Sequence, residues 1–499
     1  MSISNLPDYL RTHVNSIKLV ALCKESEFNH EKVYGLIVRD LEILEKQGLK
    51  IGNLNIRGAL LYISGDNLGH HGLGGFVENF STSEYFCRFC MITRSDLNCE
   101  TNCCAKFSKR SIESYNQALL EIGNKNSYQG IKFDSIFNKL EHFHVCNTGL
   151  APCLAHDLFE GVVAYDLKLY IDYFINDGWF TLKQLNKLID AFQYSSDDRK
   201  DKPCTIIATS NKLSGGACQI WNFLRLFPLI IYEKLKNIND HVWQLLMLLS
   251  EIVDIICAPV IHKSILGYLQ ALIFDYISGR QRSIDSAPLR PKHHFLTHYP
   301  YLILQFGPLI KVWTLRFESK HRYFKKVIRS SQNFKNPTAS LSNKHELSQC
   351  LVRLGSDRRL DLNLYETTEF KISMYNNEMQ KILFNARLPE NIMLYQKIVY
   401  KGTTYKAGNV LFINQKAYKF DNTFGKICLI LCSDDYVWIL FEILENEFID
   451  YINVYKVGKI LSYRCVNLLD LVYYKPMVEY QASNMLCIKP SHGFVSECL

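Results

Sequence analysis

Several features that would settle a functional class are missing from this sequence. No apolar run reaches membrane-spanning length. The segment Leu226-Phe227-Pro228-Leu229-Ile230-Ile231-Tyr232 is too short, and residues 242–256 are interrupted by Gln244, Ser250, Glu251 and Asp254. Residues 1–15 carry Asp8, Arg11 and His13 and no hydrophobic stretch of the secretory kind. No internal repeat or low-complexity stretch appears. A strong charge of one sign is also absent, since 57 Lys and Arg stand against 49 Asp and Glu, a formal net charge of +8. That excess suits a polyanionic partner without singling out a nucleic-acid binder. The 17 cysteines are odd in number and accompany no other mark of secretion. Most are therefore read as reduced thiols of a cytosolic or nuclear protein, many of them buried. No membrane partner is expected.

What is present is ample material for a core. With 499 residues, 48% of them hydrophobic and 21% charged, the chain reads as a globular protein of two or three domains. Three regions follow along it. In the first, residues 16–23 (SIKLVALC) read as a buried strand and 31–46 as a helix with mixed charge outside. Residues 58–64 form a short apolar run that stops at Gly65-Asp66-Asn67. α/β sheets present a carboxylate in this way at their C-terminal edge, although read locally Asp66 simply caps the next turn.

The second region, from 215 to about 343, is almost entirely helical, with i, i+3, i+4 apolar spacing in 221–235, 241–257 and 261–278. A basic turn, Arg290-Pro291-Lys292-His293-His294, leads into 312–331. There Glu318 and Arg322 are spaced to pair on a helix, and His321, Lys325 and Lys326 add positive charge on adjoining faces. The plain reading is a solvated helix; the sharper one is an acid beside a phosphate-binding cluster. The third region, 391–499, has short alternating runs at 397–400, 410–414, 427–432 and 437–444, and reads as a small antiparallel β-domain. Residues 195–202 are the best candidate for an exposed loop.

Cysteine and histidine spacing offers two candidate sites. Cys87-Arg88-Phe89-Cys90 is a CxxC pair followed by Cys99, Cys103 and Cys104, and two sulfurs at that spacing can reach one tetrahedral zinc. A second clean CxxC is missing, and buried thiols beside Phe86 and Phe89 are the plainer reading. His142, His144, Cys146, Cys153 and His156 form a second collection, with Asp157 and Glu160, around a turn that opens a helix at about Cys153.

Taken together, the blocks resemble those of transposase-derived proteins scattered through animal genomes. They are Gly65-Asp66-Asn67-Leu68-Gly69, Gly74-Gly75-Phe76, Tyr85 to Cys90, His156 to Val163, Lys292 to Leu296 and Trp313 to His321, with a further match from Asn5-Leu6-Pro7 to Leu22. The resemblance covers most of the chain and is nearest to CACTA-like cut-and-paste elements. It implies an α+β or α/β fold: a ribonuclease H-like core interrupted by a helical insertion, then a small C-terminal β-rich domain. The segments would be 1–205 for the first part of the core, 206–345 for the insertion and the helix bearing the last acid, 346–390 for a linker or helix, and 391–499 for the accessory β-domain.

For chemistry, the resemblance implies a DDE-type site in which acids hold two Mg²⁺ (or Mn²⁺) ions for in-line phosphoryl transfer on DNA. Asp66 would be the second acid and Glu318 the third, both as metal ligands. Cys153 and His156 fit the family's C-x-x-H motif, which shapes the site with Asp157 and Glu160. Lys292, His293, His294, Lys320, Arg322, Lys325, Lys326 and Arg329 would meet DNA phosphates. A homo-oligomer and a nuclear location, otherwise a cytoplasmic one, follow from the same resemblance. The family's first Asp lies upstream of the Asn-Leu-Pro block, where residues 1–4 hold no acid and Asp8 sits in a turn. The expectation is an N-terminally truncated core that has lost strand transfer. Two further readings stand beside it. One is a non-catalytic DNA- or chromatin-binding protein built on the old scaffold. The other is a zinc-dependent hydrolase using Cys87, Cys90, Cys153 and His156, which needs an open coordination position.

Overall fold

A computed structural model describes the chain except residues 12, 99–106, 148, 285–287, 333, 355–361, 390, 416–417, 420, 434–435 and 496–499. The fold mixes helix and sheet, and it divides into two compact units that interleave along the sequence. One comprises Met1–Val162 and Leu266–Gly355; the other comprises Val163–Ile265 and Ser356–Leu499. The contiguous segments expected from sequence therefore do not coincide with the units. The chain leaves the first unit at 163, builds helices elsewhere, and returns at 266 along the helix Ile265–Ser283.

The first unit is helix-rich, with little sheet. The helix His30–Lys46 starts where Asn29 accepts hydrogen bonds from the backbone N–H groups of Glu31 and Lys32 (3.0 and 3.1 Å). It buries Val38 and Leu41 against Phe76, Tyr115, Phe137, Phe143 and Leu150. Beside this core, Ile63–Ser64 pairs in parallel with Leu150–Ala151, in the register Ile63↔Leu150 and Ser64↔Ala151. Ser64 also donates its hydroxyl to the carbonyl of Val312 (2.8 Å), which fixes the start of the later helix Leu315–Ser331 beside the strand pair. Residues 16–23 are not a strand. They have no ladder partner among the described residues, and only Ile17 in the segment is buried. The apolar composition that suggested a buried strand instead lines a surface groove with Phe28, Tyr34 and Phe324.

The second unit joins helices to a nine-stranded antiparallel sheet. Its helices include Ala164–Asn176, Leu182–Ala191, Ala217–Ile230 and His241–Ile256. The sheet is organised around the long central strands Asn422–Cys432, Val437–Ile449 and Val454–Asn467. Period-2 alternation in Val437–Ile449 sends Ile439 and Phe441 to one core and Leu440 to another. A register shift opposite Leu440 and Phe441 lets Asn422–Cys432 give Ile427 and Ile430 to the first core and Leu431 to the second. The sheet begins earlier than expected, at Leu362–Glu369, within the stretch taken for a linker. Residues 195–202 form a turn exposed at Ser196, Asp197, Arg199 and Lys200, as expected, except that Asp198 is buried and holds the guanidinium of Arg225 and the hydroxyl of Tyr480.

Candidate functional site

Two constructions in the first unit bring chemistry-bearing side chains together. The first is a buried cluster of Cys87, Cys90, His294 and His298, whose ligand atoms all lie within 4.8 Å of one another. Cys87 and Cys90 come from one turn, held where Arg110 N–H donates to the Phe89 carbonyl (3.0 Å) and Met91 N–H to that of Ser108 (3.0 Å). His294 and His298 are four residues apart where the helix Pro291–Leu296 gives way to Tyr299–Phe306. The Nε2 atoms of the two histidines are 3.0 Å apart, Cys90 Sγ is 3.2 Å from His294, and Cys87 Sγ is 3.4 Å from His298. Zinc bonds of about 2.0–2.3 Å in a tetrahedron place neighbouring ligands roughly 3.3–3.8 Å apart, close to these separations.

The electrostatics suit a cation. Burial alone pushes the Cys87 thiol up, but the hydrogen bond from Cys90 and the neighbouring His298 and His294 hold it well below its ordinary value. Burial pushes His298 down, which leaves an imidazole lone pair to donate. Four ligands of two thiols and two imidazoles form a group that can hold a metal ion.

His293 and His294 were expected at a DNA interface and are not there. They are 0% and 3% exposed, so neither ring can reach a phosphate, and His294 is instead a member of the cluster. The hydrolase set of Cys87, Cys90, Cys153 and His156 does not gather either, since the first two meet His294 and His298. Nor do His142, His144 and Cys146 form a metal group among the described residues; His144 Nδ1 accepts the Cys146 N–H (3.1 Å). Cys99, Cys103 and Cys104 lie outside the described residues.

The second construction is a polar edge at the end of the parallel strand pair. Asp66 follows Ser64 by two residues and Cys153 follows Ala151 by two, so in-register parallel pairing sends both off the same end. Asp66 also caps the helix Asn67–Leu73, accepting from Gly69 N–H (2.7 Å), which is the plain local reading of that residue. Beyond Cys153 the chain enters a π-helical segment, Ala155–Val163, a rare geometry that is frequent at functional positions.

From this segment the contacts reach the distant helix Leu315–Ser331. Cys153 Sγ lies 3.2 Å from His156 Nδ1 and 2.9 Å from Thr314 Oγ1, and Thr314 donates to Glu318 Oε1 (2.9 Å). His156 Nε2 stands 3.9 Å from Glu160 and 4.0 Å from Glu318. Its pKa is pushed up to about 9, first by the hydrogen bond with Cys153 and then by those two carboxylates, against the effect of burial. The ion pair of Glu318 is thus with His156 and not with Arg322.

A buried polar link joins the two constructions. Arg88, between the two cysteines, donates to Asn67 Oδ1 (2.6 Å), and Asn67 donates to Asp157. Arg88 and Asp157 also pair at 4.0 Å. The residue after Asp66, the residue after His156 and the CxxC turn therefore share one network. Lys292 joins it by donating to the His156 carbonyl (2.7 Å), and Gly161 makes room for that side chain: a Cβ there would come within 2.5 Å of Lys292 Cδ.

Of the remaining basic residues, Lys320 is a correction. It is 5% exposed and donates to the carbonyl of Val14 (3.3 Å), so it is not available to a phosphate. Arg322, Lys325, Lys326 and Arg329 are exposed. Steps of four, three and four residues place Glu318, Arg322, Lys325 and Arg329 on one stripe of the helix. Among the described residues, none of these cations is paired with a carboxylate.

No protein-family model matches this chain, and no curated protein is detectably similar to it.

Proposed function

We propose that this chain is a transposase-derived protein with a ribonuclease H-like core, which binds DNA along the helix Leu315–Ser331 and holds a structural zinc at Cys87, Cys90, His294 and His298. The observation that carries the reading is the convergence of Glu318, Cys153 and His156, from sequence blocks some 160 residues apart, beside the strand end that bears Asp66. Glu318 heads a stripe of exposed cations, so a DNA backbone laid along that stripe would bring a phosphate to the acidic edge.

The Cys/His donor set fits zinc. Four protein ligands close a tetrahedron and leave no position for water, which favours a structural ion over a hydrolytic one. The Mg²⁺ set does not fit in the same way. Asp66 and Glu318 are two acids of a three-acid site, and among the described residues the Cys/His cluster is the one group of three or more ligands gathered around a common point. We derive no two-metal step, and the proposed activity of the described chain is DNA binding without strand transfer.

Fluorescence anisotropy with a labelled duplex tests this. Replacing Arg322, Lys325, Lys326 and Arg329 with alanine should flatten the slope of log affinity against log salt by about 3–4, because each phosphate contact contributes about 0.9. No binding at low salt, or an unchanged slope, would contradict the proposal.

A further inference from the structure

The first unit holds a small, partly open pocket whose wall includes Arg88, Lys109, Arg110, Cys146, His298 and Tyr301. Three of these residues carry positive charge, and among the described residues no acid lines the cavity. Arg110 is 6% exposed, and its Nε and Nη2 donate to the carbonyls of Cys87 and Gln129 (both 2.8 Å) with no carboxylate paired to it among the described residues. Arg88 is 2% exposed; Nη1 serves Asn67, the paired carboxylate of Asp157 stands off at 4.0 Å, and Nε and Nη2 have no hydrogen-bond partner among the described residues. Lys109 is exposed, with Nζ 3.3 Å above the Tyr301 ring.

A buried guanidinium is costly without a counter-charge; Asp157 stands 4.0 Å from Arg88, whereas Arg110 meets only carbonyls and no carboxylate among the described residues. Cys146 is kept neutral by burial, which pushes its thiol up to about 12. A zinc ion on two thiolates and two imidazoles is neutral overall, so a loaded Cys/His centre would not balance Arg110 either. A fork of guanidinium donors with a flanking ammonium matches a tetrahedral oxyanion. We infer that this cavity is a binding site for a phosphate group, either the free anion or the phosphate at the end of a nucleic-acid strand. The site is separate from the cationic stripe and does not rest on the proposed function.

Isothermal titration of the full-length chain with inorganic phosphate, at an ionic strength matched with sodium chloride, tests the assignment. Saturable binding is expected, weakened at least about tenfold by Lys109→Gln and restored by Lys109→Arg. The same binding should survive alanine replacement of Arg322, Lys325, Lys326 and Arg329. Competition by a 5′-phosphorylated oligonucleotide, and not by its 5′-hydroxyl counterpart, would assign the phosphate to a strand end; competition by neither would assign it to the free anion. No saturable heat beyond the chloride control would overturn the inference. So would binding that Lys109→Gln leaves unchanged.

Discussion

At the scale of single residues, the Cys/His centre shows how far ligand spacing carries. Cys87 and Cys90 were legible because CxxC is a local pattern. His298 was not, because 208 residues separate it from Cys90 and the His294-x-x-x-His298 spacing sits beside a basic turn that invites a phosphate-binding reading. Chain topology, not composition, decides which histidine completes the set. The expected outcome is one zinc per chain by elemental analysis, lost in Cys90→Ser and in His298→Ala; full metal content in both variants would mean that these side chains are not its ligands. Asp66 caps Asn67–Leu73 and also follows the strand Ile63–Ser64, since one geometry serves both positions.

His156 provides a second test at this scale. Its raised pKa means that it is protonated at neutral pH. The stability it contributes is fully present below its ordinary value of about 6.5 and is lost as pH rises through about 9. An NMR titration of the imidazole should therefore give a midpoint near 9, lowered in Glu318→Gln. A midpoint near 6.5 in the unmodified chain would mean that Cys153, Glu160 and Glu318 do not surround it as described.

At the scale of elements, helices were the most legible part of the sequence. The periodic segments near 221–235, 241–257 and 312–331 became Ala217–Ile230, His241–Ile256 and Leu315–Ser331. The runs at 397–400, 410–414, 427–432 and 437–444 all lie in strands of the large sheet. Residues 16–23 failed as a strand because apolar composition says nothing about whether a partner strand is present. Residues 195–202 form an exposed turn at Ser196, Asp197, Arg199 and Lys200, but Asp198 looks like any other surface acid until Arg225, 27 positions away, is folded against it. Removing one partner of that buried pair leaves the other uncompensated. Asp198→Ala should therefore cost the second unit about 3–5 kcal/mol in chemical denaturation, whereas a double variant combining Asp198→Leu with Arg225→Met should recover most of the loss. A loss below about 1 kcal/mol would place the pair among ordinary surface bridges.

At the scale of the whole molecule, the interleaving of the two units is what sequence could least disclose. The helical stretch between the early blocks and Glu318 was expected as an insertion in a single core, and the chain does depart from the first unit at 163 and re-enter it at 266. The helices inserted there share a compact unit with the C-terminal sheet, a pairing of segments about 100 residues apart that no local pattern announces. Within the first unit, the return places Glu318 beside His156 and Cys153, and the buried Arg88–Asn67–Asp157 network ties that edge to the CxxC turn. Loss of metal should therefore reach the edge. Chelation is expected to shift the His156 NMR resonance as well as to lower the melting temperature; an unmoved resonance would separate the two constructions.

The most direct test is the position of DNA on the protein. A crystal structure of the chain with duplex DNA and Mn²⁺ would locate the backbone phosphate nearest to Glu318. This phosphate is expected along the stripe of Arg322, Lys325 and Arg329, next to the carboxylate of Glu318. DNA bound on a surface remote from that stripe would contradict the proposed function.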